Sequence, residues 1–182
     1  MDYLACAFGL VPNLELPELL GCRIKNGVVP VDDWQQTTVS GVYCAGEPTG
    51  VGGVDRALIE GQIAGYAASG QTAQAERLFA ARTRTHRFTH ALNQAFALRE
   101  ELKQLADADT VVCRCEDVTR GQLDRYNGWR PAKLHTRCGM GPCQGRICGS
   151  ATRVLFGWHP ESVRPPLFPT SVGTFIEIGT KR

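Results

Sequence analysis

The sequence predicts an α/β segment, then a helical linker, then a small α+β, α-rich domain built around cysteine. Three observations carry this. An apolar stretch at 39–45 runs into a glycine-rich loop and then a helical pattern. Helical periodicity resumes at Thr72 and continues to Leu105. Five of the eight cysteines fall between positions 113 and 148.

The length of 182 residues allows one or two ordinary domains. Hydrophobic residues make up 43% and charged residues 21%, which rules out disorder throughout. A formal net charge of +2 gives no strong attraction for nucleic acid or a membrane surface. No apolar run approaches the ~18–20 residues of a membrane span. Residues 1–12 are apolar but carry Asp2 in place of basic residues, so they do not read as a signal peptide. Clustered cysteines in a core-rich chain point to a reducing cytoplasm, where such clusters serve metal binding or catalysis rather than disulfides. Any membrane association would run through partners.

Taken in order, residues 2–8 form a short apolar run closed by Gly9. Asn26-Gly27 marks a tight turn ahead of a β-branched run at 28–31. Residues 39–45 (VSGVYCA) read as a strand that stops at Gly46, and Gly50, Gly52 and Gly53 follow. A helix then starts near Val54 or Asp55, with Leu58, Ile59, Ile63 and Tyr66 spaced to share one face. Gly70 breaks it, and Thr72 caps the next helical pattern. There Phe88, Ala91, Ala95, Leu98, Leu102 and Leu105 recur at steps of three and four, an amphipathic pattern. Arg82, Arg84 and Arg87 read as a solvated helix face. Thr119 starts a short helix over 120–126, turned by Asn127-Gly128, and 143–156 reads as a helix with Pro142 near its first turn. The tail, 159–182, carries four prolines and reads as extended.

The cysteines are spaced as C-x-C at 113 and 115, then C-x4-C at 138 and 143, with Cys148 beyond. Four thiolates can hold a [2Fe–2S] cluster or a structural zinc ion. Zinc sites favour C-x2-C knuckles, so both halves suit zinc poorly. Glycines 139 and 141 permit close backbone approach to a bulky cofactor, and backbone N–H groups nearby can donate to the sulfurs. Five cysteines stand for four positions. Cys113, Cys115, Cys138 and Cys143 are the expected ligands, with Cys148 buried in the following helix. Cys6, Cys22 and Cys44 read as core thiols. His86 and His90 suit a helix face, His135 lies three residues before Cys138, and His159 reads as surface.

CRCEDVT at 113–119 and RCGMGPCQGRICG at 137–149 resemble the bacterioferritin-associated-ferredoxin-like [2Fe–2S] domain. The version it is most similar to is fused to flavoprotein subunits of opine oxidases, hydroxyproline and proline dehydrogenases and hydrogen cyanide synthase. That resemblance implies a [2Fe–2S] cluster on Cys113, Cys115, Cys138 and Cys143. Residues 37–65, TTVSGVYCAGEPTGVGGVDRALIEGQIAG, resemble the second FAD motif of the pyridine-nucleotide–disulfide-oxidoreductase class, T-x3-G-V-Y-A-A-G-D. Cys44 stands for an Ala and Glu47 for the Asp. The implied FAD-binding residues are Gly46, Glu47, Gly52, Gly53 and Val54, with Glu47 accepting from the ribityl chain and the helix N-terminus aimed at the flavin. Residues 6–13, CAFGLVPN, resemble the chain returning to the FAD domain.

No G-x-G-x-x-G and no P-loop occur. The chain therefore looks like the C-terminal part of such a flavoprotein. It would form a partial Rossmann-like FAD-binding segment that binds FAD with a companion chain. The expected divisions are 1–70 for the FAD-binding part, 71–106 for the helical linker, 107–158 for the [2Fe–2S] domain and 159–182 for the Pro-rich tail. No catalytic constellation is evident. The implied function is electron transfer in a multi-subunit flavin-dependent amino-acid or opine dehydrogenase. Its implied partners are a chain with the N-terminal FAD half and a substrate-oxidising flavoprotein, with no nucleic acid. The alternative is a non-catalytic iron–sulfur or zinc module for partner docking or redox sensing.

Overall fold

The computed structural model describes residues 9–159, 163–168, 170–174 and 176. They form two compact units, residues 10–96 with the described residues from 163 onward, and residues 97–159 with Gly9. The apolar run at 2–8, Cys6 and the first part of CAFGLVPN lie outside the described residues, as do Pro160 and Pro169 of the tail. The described secondary structure is mainly helical, with a single two-stranded sheet.

In the first unit, α1 (Glu15–Leu19) leads into turns around a small core of Leu14, Cys22 and Val29. Val39, Val42 and Cys44 pack on that core. Asn26 and Gly27 both take left-handed dihedrals, φ 53° and 75°, and Lys25 pairs with Val28 across them, as expected of that dipeptide. The strand expected over 39–45 does not form. Val42 N–H instead donates to Val39 C=O at 3.1 Å, and Val39 N–H to Thr37 Oγ1 at 3.1 Å. Local turn hydrogen bonds thus take the groups that a ladder would need, and Tyr43 keeps a lone bridge to Gln36.

A 3-10 turn, Glu47–Thr49, precedes α2 (Val54–Ala68), which starts where the glycine spacing predicts. Its buried face differs from the expected one. Glu60 and Ile63 are buried, whereas Leu58 is 60% exposed and Tyr66 38%. α3 (Thr72–Ala95) packs along α2. It ends at Ala95, so the helix expected through Leu105 is overturned. Residues 96–99 leave the helix, and a separate 3-10 turn spans Glu100–Gln104. The amphipathic stripe is not a core stripe either, because Phe88 and Leu105 are exposed. Arg82 is the exception to the solvated-face reading. It bonds Asp33 C=O at 2.7 Å and the Asp33 carboxylate at 2.9 Å, and lies over the Phe79 ring. Arg84 and Arg87 are exposed as expected.

In the second unit, β1 (Val111–Cys113) pairs antiparallel with β2 (Val118–Thr119) across an irregular turn. Thr119 caps α4 (Arg120–Leu123) in a capping box with Gln122, fulfilling the predicted start but ending before 126. α5 (Trp129–Thr136) is not anticipated by the sequence pattern. α6 (Cys148–Phe156) begins five residues later than the helix expected from 143, because Gln144 and Gly145 are left-handed, φ 51° and 81°. The core is Val112, Cys113, Val118, Leu123, Trp129, Ala132, Cys138 and Cys148. In the tail, the described residues 163–168 carry no helix or strand, but residues 172–174 are helical, so the extended tail expected over 159–182 is not kept there.

Candidate functional site

Five thiols meet in the second unit, brought from three stretches of chain. Cys113 ends β1, and Cys115 sits in the turn before β2. Cys138 follows Arg137, the left-handed residue that stops α5. Cys143 lies in the loop after it, and Cys148 opens α6. The Arg137 guanidinium donates to the Glu116 carboxylate at 2.8 Å, pinning the two cysteine-bearing segments together. That contact also raises the Arg137 pKa.

The thiols divide by burial and distance. The sulfurs of Cys113, Cys138 and Cys148 lie within 4.8 Å of one another, and all three residues are buried. Cys115 is exposed, and its Sγ stands 3.9 Å from Cys143 Sγ. All five are free thiols. The backbone N–H groups of Ile147, Gly145 and Arg146, Ile147 foremost, hold the Cys143 pKa below the ordinary thiol value. This is the N–H cradle that the glycine-rich loop predicts. Cys148 is pushed well above the ordinary value, first by its hydrogen bond with Cys138 and then by burial. Three buried sulfurs cannot all be thiolates side by side without a cation, and thiolates are what soft metals bind.

The backbone leaves room for little else. A Cβ on Gly141 would overlap the Cys115 Cβ, so only glycine fits there. The donor set is entirely sulfur, partly buried and fed by backbone N–H groups, and it fits an iron–sulfur cluster or another thiolate-bound metal. Among the described residues no other group of three metal-ligating side chains comes together. His86 and His90 are exposed on α3. His135 stacks on Tyr126 at 5.5 Å, and His159 is exposed beside Arg153.

Cys113 and Cys138 are thus brought together, as are Cys115 and Cys143. The grouping of Cys148 with the first pair is what sequence reasoning misses. A signal for it exists, since 143 and 148 repeat the C-x4-C spacing of 138 and 143. Cys22 and Cys44 behave as core thiols, Cys22 donating to Thr37 Oγ1 at 3.5 Å and Cys44 raised in pKa by burial.

The glycine-rich loop of the first unit forms a second candidate feature. Gly52, Gly53 and Val54 line a groove of about 600 Å³ with Arg56 of α2 and Arg84 and Phe88 of α3. No side chain caps the N-terminus of α2. Gly46 and Glu47 are not among the residues lining this groove. Gly46 is buried and donates its N–H to Glu60 Oε2 at 2.9 Å. Glu60 also accepts from Thr49 Oγ1 at 2.7 Å and Arg56 Nε at 2.6 Å. This buried carboxylate is likewise missed by sequence reasoning, although Arg56 stands four residues before it on the same helix. The Glu47 carboxylate makes no hydrogen bond or ion pair among the described residues.

No described helix is long and apolar enough to cross a membrane. No family model matches the chain, and no solved structure matches it. Among curated proteins, the A subunit of opine oxidase from Rhizobium meliloti is 35% identical over 93% of this chain and 43% of its own length. Hydrogen cyanide synthase subunit HcnB of Pseudomonas aeruginosa is 31% identical over 98% of this chain and 44% of its own. The A subunit of opine oxidase from Agrobacterium tumefaciens is 28% identical over 92% of this chain and 36% of its own. The chain thus spans less than half of these relatives, and over nearly all of its own length it is similar to part of the opine oxidase A subunits and of HcnB.

Proposed function

We propose that the chain is an electron-transfer portion of a multi-subunit, flavin-dependent dehydrogenase or oxidase acting on amino acids or opines. The observation that carries this is the convergence of five reduced thiols, in a chain whose relatives are named as oxidase and synthase subunits. Cys113, Cys115 and Cys143, with one of the inner cysteines Cys138 or Cys148, are the ligands of a [2Fe–2S] cluster. The expected set takes Cys138, and the position of Cys148 makes it an equal candidate. Bound there, the cluster supplies one-electron transfer, and FAD supplies the flavin stage.

The chain's own residues do the rest. The N–H groups of Ile147, Gly145 and Arg146 stabilise negative charge at the Cys143 side. Burial of Cys113, Cys138 and Cys148 excludes water from the inner side, and exposed Cys115 marks the edge open to a redox partner. In the first unit, the uncapped start of α2 suits the electron-rich edge of a flavin or another anion. Glu47, free of protein partners among the described residues, accepts from a ribityl hydroxyl. A companion chain with the N-terminal FAD half and a substrate-oxidising flavoprotein complete the assembly.

The three buried thiols favour a second reading as well, a structural or redox-sensing metal module, because three sulfurs and one further ligand suffice for zinc. Metal analysis of anaerobically purified protein decides between them. About two iron and two acid-labile sulfide per chain, with a rhombic EPR signal on reduction, are expected. One zinc without sulfide would overturn the electron-transfer reading.

A further inference from the structure

Four protein sulfurs suffice for a [2Fe–2S] cluster, two on each iron. The centre offers five, divided unevenly. Cys115 and Cys143 form a pair 3.9 Å apart. Cys113, Cys138 and Cys148 form a trio whose sulfurs all lie within 4.8 Å of one another. Two thiolates on one tetrahedral metal, with bonds of ~2.3 Å, stand roughly 3.8 Å apart. The outer pair already has that spacing. Within the trio, no choice of two exceeds it by more than about 1 Å, a shift that side-chain rotation supplies. One inner thiol is therefore in excess, and it is held within reach of the same position.

Cys138 and Cys148 are also supported independently. Cys138 follows the left-handed Arg137 at the end of α5, and Cys148 opens α6. Both are essentially inaccessible, at 0% and 1% exposure, so neither faces solvent or a docking partner. Each packs in the core beside Cys113 and Trp129.

We propose that Cys138 and Cys148 are alternative fourth ligands. Cys113, Cys115 and Cys143 hold the cluster with either one, and the other remains beside it as a standby thiol. This rests on the reading of the centre as an iron–sulfur site. Loss of one inner thiol then still leaves four sulfurs.

The test uses the full chain, with Cys138 and Cys148 each changed to Ala and to Val, one replacement smaller and one bulkier, neither able to ligate. A double Cys138→Ala, Cys148→Ala variant is made alongside. Iron, sulfide and the EPR spectrum of the reduced protein are measured for each. At each position at least one single variant is expected to keep about two iron and two sulfide. The double variant is expected to fall below about a tenth of wild-type iron. EPR line shape shows which thiol is the resident ligand, because its loss moves the g values. Loss of the cluster in both versions at either position overturns the proposal, as does a double variant that keeps it. Wild-type protein holding zinc without sulfide would instead remove the iron–sulfur reading itself.

Discussion

Glu60 is the most heavily engaged carboxylate described in the first unit. Its side chain is 2% exposed and accepts from Arg56, Thr49 and the Gly46 backbone. Burying a carboxylate costs several kcal/mol, and here three donors offset that cost. They also tie the Gly46 turn to the middle of α2, so the glycine-rich loop is braced from beneath. Glu60→Ala leaves a partly buried guanidinium, a hydroxyl and a backbone N–H without their partner, so it should destabilise the protein by about 3–5 kcal/mol. Urea unfolding measures this, and a loss under about 1 kcal/mol would show that the loop does not depend on the brace. The sequence displays the Arg56–Glu60 spacing, but an (i, i+4) pair ordinarily lies on a solvated face. Only packing against the Gly46 turn makes it interior.

At the scale of the element, the loop between α5 and α6 decides the cysteine geometry. Its left-handed residues delay α6 to Cys148, which places that thiol at the first helical position and turns three N–H groups onto Cys143. Gly141 lies where any side chain would overlap Cys115. Gly141→Ala should therefore reduce iron content several-fold by displacing the C-x-C turn. Gly149→Ala is the control, since its Cβ would meet nothing nearer than the Trp129 ring at 4.0 Å. It lies inside α6 and should hold wild-type iron while raising stability by up to about 1 kcal/mol. Equal iron in the two variants would sink the account. The starts of α2, α3 and α4 are legible in the sequence because glycine and Thr119 act locally. The early end of α3 is not. The three–four spacing to Leu105 is genuine, but Phe88, Leu98 and Leu105 on that face are exposed, so the pattern brings little of the burial from which a helix gains most of its stability.

For the whole molecule, each unit carries its own core, and the second is unusual in composition. Three of its eight buried core residues are the cysteines of the inner trio. With metal bound at this centre as proposed, binding and folding would be coupled there. Removal of the metal should speed amide exchange across residues 111–156, and any slowly exchanging amides around Leu14, Cys22 and Val29 should stay protected. Exchange unchanged across 111–156 after metal loss would show that the fold does not need it. The sequence by itself determined the cysteine cluster, the Asn26-Gly27 turn, the glycine-rich loop and the start of the helix that follows it. These depend on residue type and short spacing, and turn chemistry acts over a few residues. The tertiary structure alone decided that Cys148 joins Cys113 and Cys138, that Glu60 is buried beneath Gly46, and that Val39–Val42 turns instead of extending. The first two bring together groups far apart along the chain, where short spacings hint at a role but do not say which groups meet, and the third settles a competition between local and ladder hydrogen bonds that only the surrounding chain resolves.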